Sequence, residues 1–264
     1  MTVKERKDVT DEEILFEFYS LDSLKYLIDM LSQLKFSLQK ILPKNDPLNE
    51  KKVLIFRFEI IARYCQLAES LGGLILGYKN LNITSNKQLN KNHTQQVLKY
   101  LSEYTINDID TFYKNIENNS LAYDVIFGYD LLDTKYQNEI LISRDNIKNN
   151  LKQIANCYLF YKNSYNAYKH GYRLWVGKEQ SNHIEAAIFR NRKGLEDYIP
   201  LDDQSLNLVI KSGTYCLNLF DILKSNHKSI FYYLINNGNK TLPIKFLSDL
   251  ENITEKNVVL VNMF

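Results

Sequence analysis

Residues 151 to 175 read LKQIANCYLFYKNSYNAYKHGYRLW, and this stretch limits what the chain can fold into more than any other. Leu151, Ile154, Tyr158, Tyr161, Tyr165, Tyr168 and Tyr172 recur at alternating steps of three and four, the spacing of one helix face. Tyrosines at this spacing predict a core seam, with hydroxyls reaching the edge of the packed region. Lys152, Asn156, Asn163, Asn166 and His170 form a polar line on the roughly opposite face. Gly171 is a natural left-handed C-cap and predicts a helix end at His170. The imidazole then lies beside the negative end of the macrodipole, which favours its protonated form.

Composition supports a helical reading. Among 264 residues there are only 4 Pro and 9 Gly, which suits long helices better than a turn-rich β protein. A chain of this length buries an ample core. The 33 Lys and Arg against 31 Asp and Glu leave a net charge of +2, so any nucleic-acid surface must be a local patch. Cys65, Cys157 and Cys216 are scattered through apolar runs without metal-ligand spacing, which reads as buried, reduced thiols in a cytoplasmic protein. The charged N-terminus MTVKERKDVTDEE has no signal-peptide character. The apolar run over 53–78 is interrupted by Arg57, Glu59, Arg63, Gln66 and Glu69, so no membrane span is expected.

Along the chain, Thr10 to Glu13 form a capping box ahead of a helix over about 14–42, which Pro43 ends. Asp46-Pro47 opens a second helix, about 48–78, apolar almost all round and therefore central. A narrow polar line crosses it through Glu59, Arg63, Gln66, Ser70, Gly73 and Gly77, and the two glycines invite a close helix approach. Residues 79–93 read as a polar loop, followed by shorter helices at Thr94–Tyr104 and Asn107–Ile116. Ser143 is the expected cap of the long helix to His170. Short β-prone runs then give a small β excursion near 172–193. Asp202 or Asp203 caps a helix through about Leu223, Ser225 starts a further turn to Asn236, and the tail from Asn237 reads as an extended edge or docking segment. The expected fold is all-α: one domain over 1–264, a bundle of six or seven helices with core helices at about 14–42, 48–78, 143–170 and 203–223.

The segment Tyr165-Asn166-Ala167-Tyr168-Lys169-His170-Gly171 resembles the motif of the HEPN superfamily of helical-bundle domains. That motif places an arginine, a polar residue that is often Asn, a few residues, then His, frequently followed by Gly. Asn166, His170 and Gly171 match it; Tyr165 stands where the family has arginine. The resemblance implies a helical bundle in a defence, toxin–antitoxin or abortive-infection setting. It further implies RNA or nucleotide binding, a homodimer or antitoxin-like partner, and metal-independent RNA cleavage that is degenerate here. His170 would transfer the proton and Asn166 orient it, because cleavage at a 2′-hydroxyl needs a proton carrier and a cation at the phosphorane. A tyrosine cannot supply that charge, so Lys169, Arg173 or Arg63 must offset the phosphate.

Arg190 and Arg192 extend the candidate phosphate contacts through a stretch that interleaves basic residues with Trp175 and Phe189. His93, His183 and His227 lie in polar surroundings without metal spacing. Phosphate-binding glycine loops, paired CxxC and HExxH motifs are absent, so neither cofactor nor metal is expected. The competing expectation is a non-catalytic interaction or dimerisation module, in which Glu59, Arg63, Asn166 and His170 form a buried polar network that fixes helix register.

Overall fold

Pro47 opens a 33-residue helix, as its fixed φ and missing N–H suit a first helical position. The computed structural model describes residues 23–41, 47–79, 105–118, 134–169, 174–178, 185–190, 196–236 and 241–258. They hold five α-helices: α1 (Ser23–Ile41), α2 (Pro47–Lys79), α3 (Ile106–Lys114), α4 (Gln137–Lys169) and α5 (Asp203–Asn236). Two small antiparallel sheets join them, β1 (Leu174–Lys178), β2 (Glu185–Arg190) and β3 (Glu196–Pro200) in one, and β4 (Leu242–Leu247) with β5 (Ile253–Val258) in the other. The fold is thus mostly helical rather than all-α. No helix among the described residues is long and apolar enough to cross a membrane.

The chain divides into two compact units. One comprises Met1–Asp22, Leu71–Asn150 and Asn218–Phe264; the other comprises Ser23–Ser70 and Leu151–Leu217. Each takes one part of α2, α4 and α5.

In the second unit α2 is buried on nearly every side, with Ile60, Ile61, Tyr64, Cys65, Leu67 and Ala68 all enclosed. Tyr158, Tyr161 and Tyr165 of α4 are buried with them, so the tyrosine periodicity is a core seam. Tyr64 donates its hydroxyl to the Ile154 carbonyl at 2.9 Å, linking α2 to the α4 backbone inside that core. All three cysteines are buried free thiols. Burial pushes the Cys157 thiol up to about 11 and the Tyr161 hydroxyl to about 12. Gly213 of α5 admits the Leu31 side chain of α1: a Cβ there would lie 3.3 Å from Leu31 Cδ2.

In the first unit, α3 begins with a complete capping box: Thr105 accepts from the Asp108 N–H, and the Asp108 carboxylate accepts from the Thr105 N–H at 2.8 Å. The Thr105 hydroxyl, which also donates to the Asp108 carboxylate at 2.6 Å, and then the Thr105 N–H hold that carboxyl below its usual range. A Cβ on Gly72 would lie 3.0 Å from Ile109 Cγ2 and 3.1 Å from a Tyr113 ring carbon. Gly72 is therefore where α3 approaches α2, beside the expected Gly73.

The tail expected as an extended edge or docking segment from Asn237 forms the β4–β5 hairpin over its described residues. Its turn is built locally, with Asp249 Oδ1 accepting from the N–H groups of Glu251 and Asn252. The outer edge of β4 is closed by helix side chains. Asn226 of α5 both donates to the Lys245 carbonyl and accepts from the Lys245 N–H, imitating a strand neighbour. Ser143 of α4 accepts from the Leu247 N–H at 2.8 Å, and Asn146 donates to the Leu247 carbonyl at 3.0 Å. Pro243 occupies the same edge and presents no N–H.

Several expected boundaries move. Helix α4 begins at Gln137, so Ser143 is a buried mid-helix residue whose hydroxyl serves the hairpin and caps nothing. The apolar period continues upstream through Ile140, and a mid-helix serine is tolerated when its side chain finds a partner. Helix α5 runs unbroken through Ser225, whose hydroxyl donates to Asp221 one turn earlier, so no new turn starts there. Asp202 is its cap, accepting from the Ser205 N–H at 2.7 Å. His227 is buried in α5. The box at Thr10–Glu13, the loop over 79–93 apart from its first residue, the helix over 94–104, His93, His183 and the segment 259–264 lie outside the described residues.

Candidate functional site at the α2–α4 seam

The polar line of α2 meets the C-terminal half of α4. Glu59, Arg63, Gln66, Glu69 and Ser70 recur along one flank of α2 because their spacing alternates between three and four residues, with Ser70 beside Glu69. Arg63 Nη2 lies 3.8 Å from Glu59 Oε2, and its Nη1 donates to Gln66 Oε1 at 3.0 Å. Tyr168 donates its hydroxyl to Glu59 Oε1 at 2.7 Å. That bond, followed by burial, raises the Tyr168 pKa above the ordinary phenol value, since the neighbouring carboxylate opposes a phenolate. The Tyr168 ring also packs edge-on against Phe58 at 5.5 Å between centroids.

One turn along, Glu69 is the hub. Lys169 Nζ reaches Glu69 Oε2 at 2.6 Å while lying 4.3 Å above the Tyr165 ring centre. Tyr158 donates to Glu69 Oε1 at 3.4 Å. Tyr165 has its pKa raised, first by burial and then by the Glu69 charge. Glu69 is 12% exposed and Lys169 31%, whereas Glu59 and Arg63 are 23% and 29% exposed. The Glu69 carboxylate is therefore better shielded from water than that of Glu59, while the two cations are similarly exposed. Glu69→Ala is expected to destabilise the fold by about 1 kcal/mol, because it removes one acceptor of the Tyr158 hydroxyl and the ion-pair partner of the partly exposed Lys169. Urea unfolding of the variant beside wild type measures this directly.

Two cations and two carboxylates thus balance at the seam. Among the described residues, Arg63 on the polar line of α2 pairs with Glu59 and Gln66 and is met by neither Asn163 nor Asn166 of α4. Asn163 is exposed, and the half-buried Asn166 makes no hydrogen bond to the seam. The tyrosine face of α4 takes that position instead, because burying aromatic surface against α2 outweighs burying amides. Arg190 is exposed at the end of β2, opposite Glu196 in the strand register. His170, Gly171, Arg173 and Arg192 lie outside the described residues. Phe189, the aromatic expected beside the basic residues, is buried. Among the described residues, no group of three or more His, Cys, Asp or Glu side chains is placed to hold a metal ion.

Sequence reasoning passed over Glu69 and Arg57, treating both only as interruptions in an apolar run. Glu69 falls three residues after Gln66, which puts it on the flank of the polar line. Arg57 is a buried cation on α2: it donates to the Leu201 carbonyl at 2.7 Å and to the carboxylates of Glu185 and Asp203. An arginine set among the apolar residues of such a helix, off its polar line, requires such partners, and that requirement was the available signal.

Comparison with protein families, with characterised proteins and with solved structures finds no match to this chain.

Proposed function

We propose that this chain is a non-catalytic helical interaction module, and that the α2–α4 seam is the polar network holding two of its helices in register. The observation that carries this reading is the engagement of Lys169 by Glu69 and of Arg63 by Glu59. A phosphate group drawn to Lys169 meets the Glu69 carboxylate as well. Like charges about 4 Å apart repel by about 4 kcal/mol at an effective dielectric constant near 20, which cancels the attraction of the lysine. A register role also accounts for the tyrosine hydroxyls, which donate to the carboxylates and so satisfy them inside the interface.

The RNA-cleaving reading, carried by Asn166, His170 and Gly171 in the sequence, makes the opposite demand: a cation facing phosphate beside the histidine. The two readings separate in one experiment. A mixed fluorescent RNA pool is incubated in EDTA with wild type and with His170→Ala, each shown to be folded by circular dichroism. The module reading expects no cleavage by either protein across a wide range of concentrations. Cleavage by wild type that the folded His170→Ala protein lacks would overturn it and place the chemistry at His170.

A further inference from the structure

Among the described residues, the β1 edge of the three-stranded sheet is open. Leu201 donates its N–H to the Glu185 carbonyl at 2.9 Å, so Glu185, and with it Ala187 and Phe189, hydrogen-bonds toward β3. Ala186 and Ile188 then bond toward β1, where they face Gly177 and Trp175. It follows that Leu174, Val176 and Lys178 direct their backbone N–H and C=O groups away from the sheet. Among the described residues, nothing hydrogen-bonds to that outer edge.

The outer edges of β3 and β4 are treated differently. At the outer edge of β3, Pro200 has no N–H and the Tyr198 N–H is taken by the Asp197 carboxylate at 2.9 Å. The β4 edge is closed by Asn226, Ser143, Asn146 and Pro243, whereas on the outer edge of β5 Tyr136 engages only the Asn257 carbonyl among the described residues. An uncapped strand beside a half-exposed tryptophan (Trp175, 43%) is a template for pairing.

We propose that β1 pairs antiparallel with β1 of a second copy of this chain, about a two-fold axis through Val176, to form one continuous six-stranded sheet. The proposal rests on the reading of the chain as an interaction module and names its partner. The strand is self-complementary in this register. Val176 exchanges both backbone bonds with Val176 of the second copy, and Leu174 does so with Lys178. Trp175 falls opposite the second copy's Gly177, on the same face and in a closely spaced non-hydrogen-bonded pair. A Cβ on Gly177 would have nothing within 4 Å, so the space an indole needs over that glycine is open. An aromatic laid over a cross-strand glycine covers backbone that glycine leaves exposed. A peptide of another protein would find the same hydrogen bonds, but only a second copy brings both the tryptophan and the glycine to each side.

Trp175 is the only tryptophan of the chain, so its fluorescence reports on this strand alone. Light scattering behind size exclusion, from low to high micromolar protein, is expected to show wild type moving toward twice the 31.1 kDa of one chain, with a blue shift of Trp175 emission. Val176→Pro removes an outward N–H that the protomer does not use, so the fold survives while pairing is lost. Its mass is expected to stay at one chain, with no concentration-dependent shift. Gly177→Glu is the second variant, since it fills the open space without meeting a neighbour in the protomer, and it is expected to weaken association at least tenfold. A wild type that stays monomeric overturns the proposal, whether or not a different protein binds the edge. So does a dimer that both folded variants retain. Neither result bears on RNA cleavage, which tests the module reading separately.

Discussion

Arg57→Ala is expected to destabilise the unit built from Ser23–Ser70 and Leu151–Leu217 by about 2–4 kcal/mol. The guanidinium is 9% exposed and ties α2 to the start of β2 and to the β3–α5 corner. Its removal leaves the Leu201 carbonyl without its charged donor, and the space of a long side chain empty. The carboxylates contribute unequally. Asp203 is 80% exposed, so its bond to Arg57 is largely screened by water, whereas Glu185 is 40% exposed. The backbone bond and the packing therefore dominate. Arg57→Met, which restores much of the volume without the charge, is expected to recover part of the loss. Chemical denaturation of the three proteins decides the matter: equal stability of wild type and Arg57→Ala would mean that the clamp contributes nothing.

Tyr64→Ala is expected to cost more, about 3–5 kcal/mol, because it empties a fully buried ring position at the centre of the same unit. Tyr64→Phe isolates the hydroxyl. It keeps the ring but leaves the Ile154 carbonyl without its side-chain donor, at an expected cost of about 1 kcal/mol. The difference between the two variants measures how far ring packing exceeds the hydrogen bond. Unfolding midpoints that fall by the same amount in both would show that the hydroxyl carries the interaction and the ring does not.

The helices were legible because their causes are local. Pro47 begins α2, Asp202 caps α5, and the three–four spacing of Tyr158, Tyr161 and Tyr165 marks the face that α4 buries. The β-prone runs after α4 are indeed strands, and their pairing extends to β3 beyond the expected excursion. The ends of elements were less legible. Ser143 has the chemistry of a cap, yet its hydroxyl is committed to Leu247, a residue 104 positions away that no local pattern reveals.

The candidate site shows the same division. The polar line of α2 could be read from its own spacing, and so could the presence of Lys169 next to His170. Which face of α4 meets that line could not, since both a tyrosine face and an amide face were available at helical period. Packing decided it: the larger aromatic surface went inward, bringing Tyr158, Tyr168 and Lys169 to the glutamates and leaving Asn163 in water.

What the sequence by itself determined, then, is where helices form and which side chains recur on each face, because both follow from backbone sterics and periodicity within a few turns. Only the tertiary structure decided that Glu69 would hold Lys169, that Arg57 would bind Leu201, and that Asn226 would close the edge of β4. Those outcomes depend on which distant surfaces meet, and desolvation makes a charge costly or useful only once its neighbours are in place.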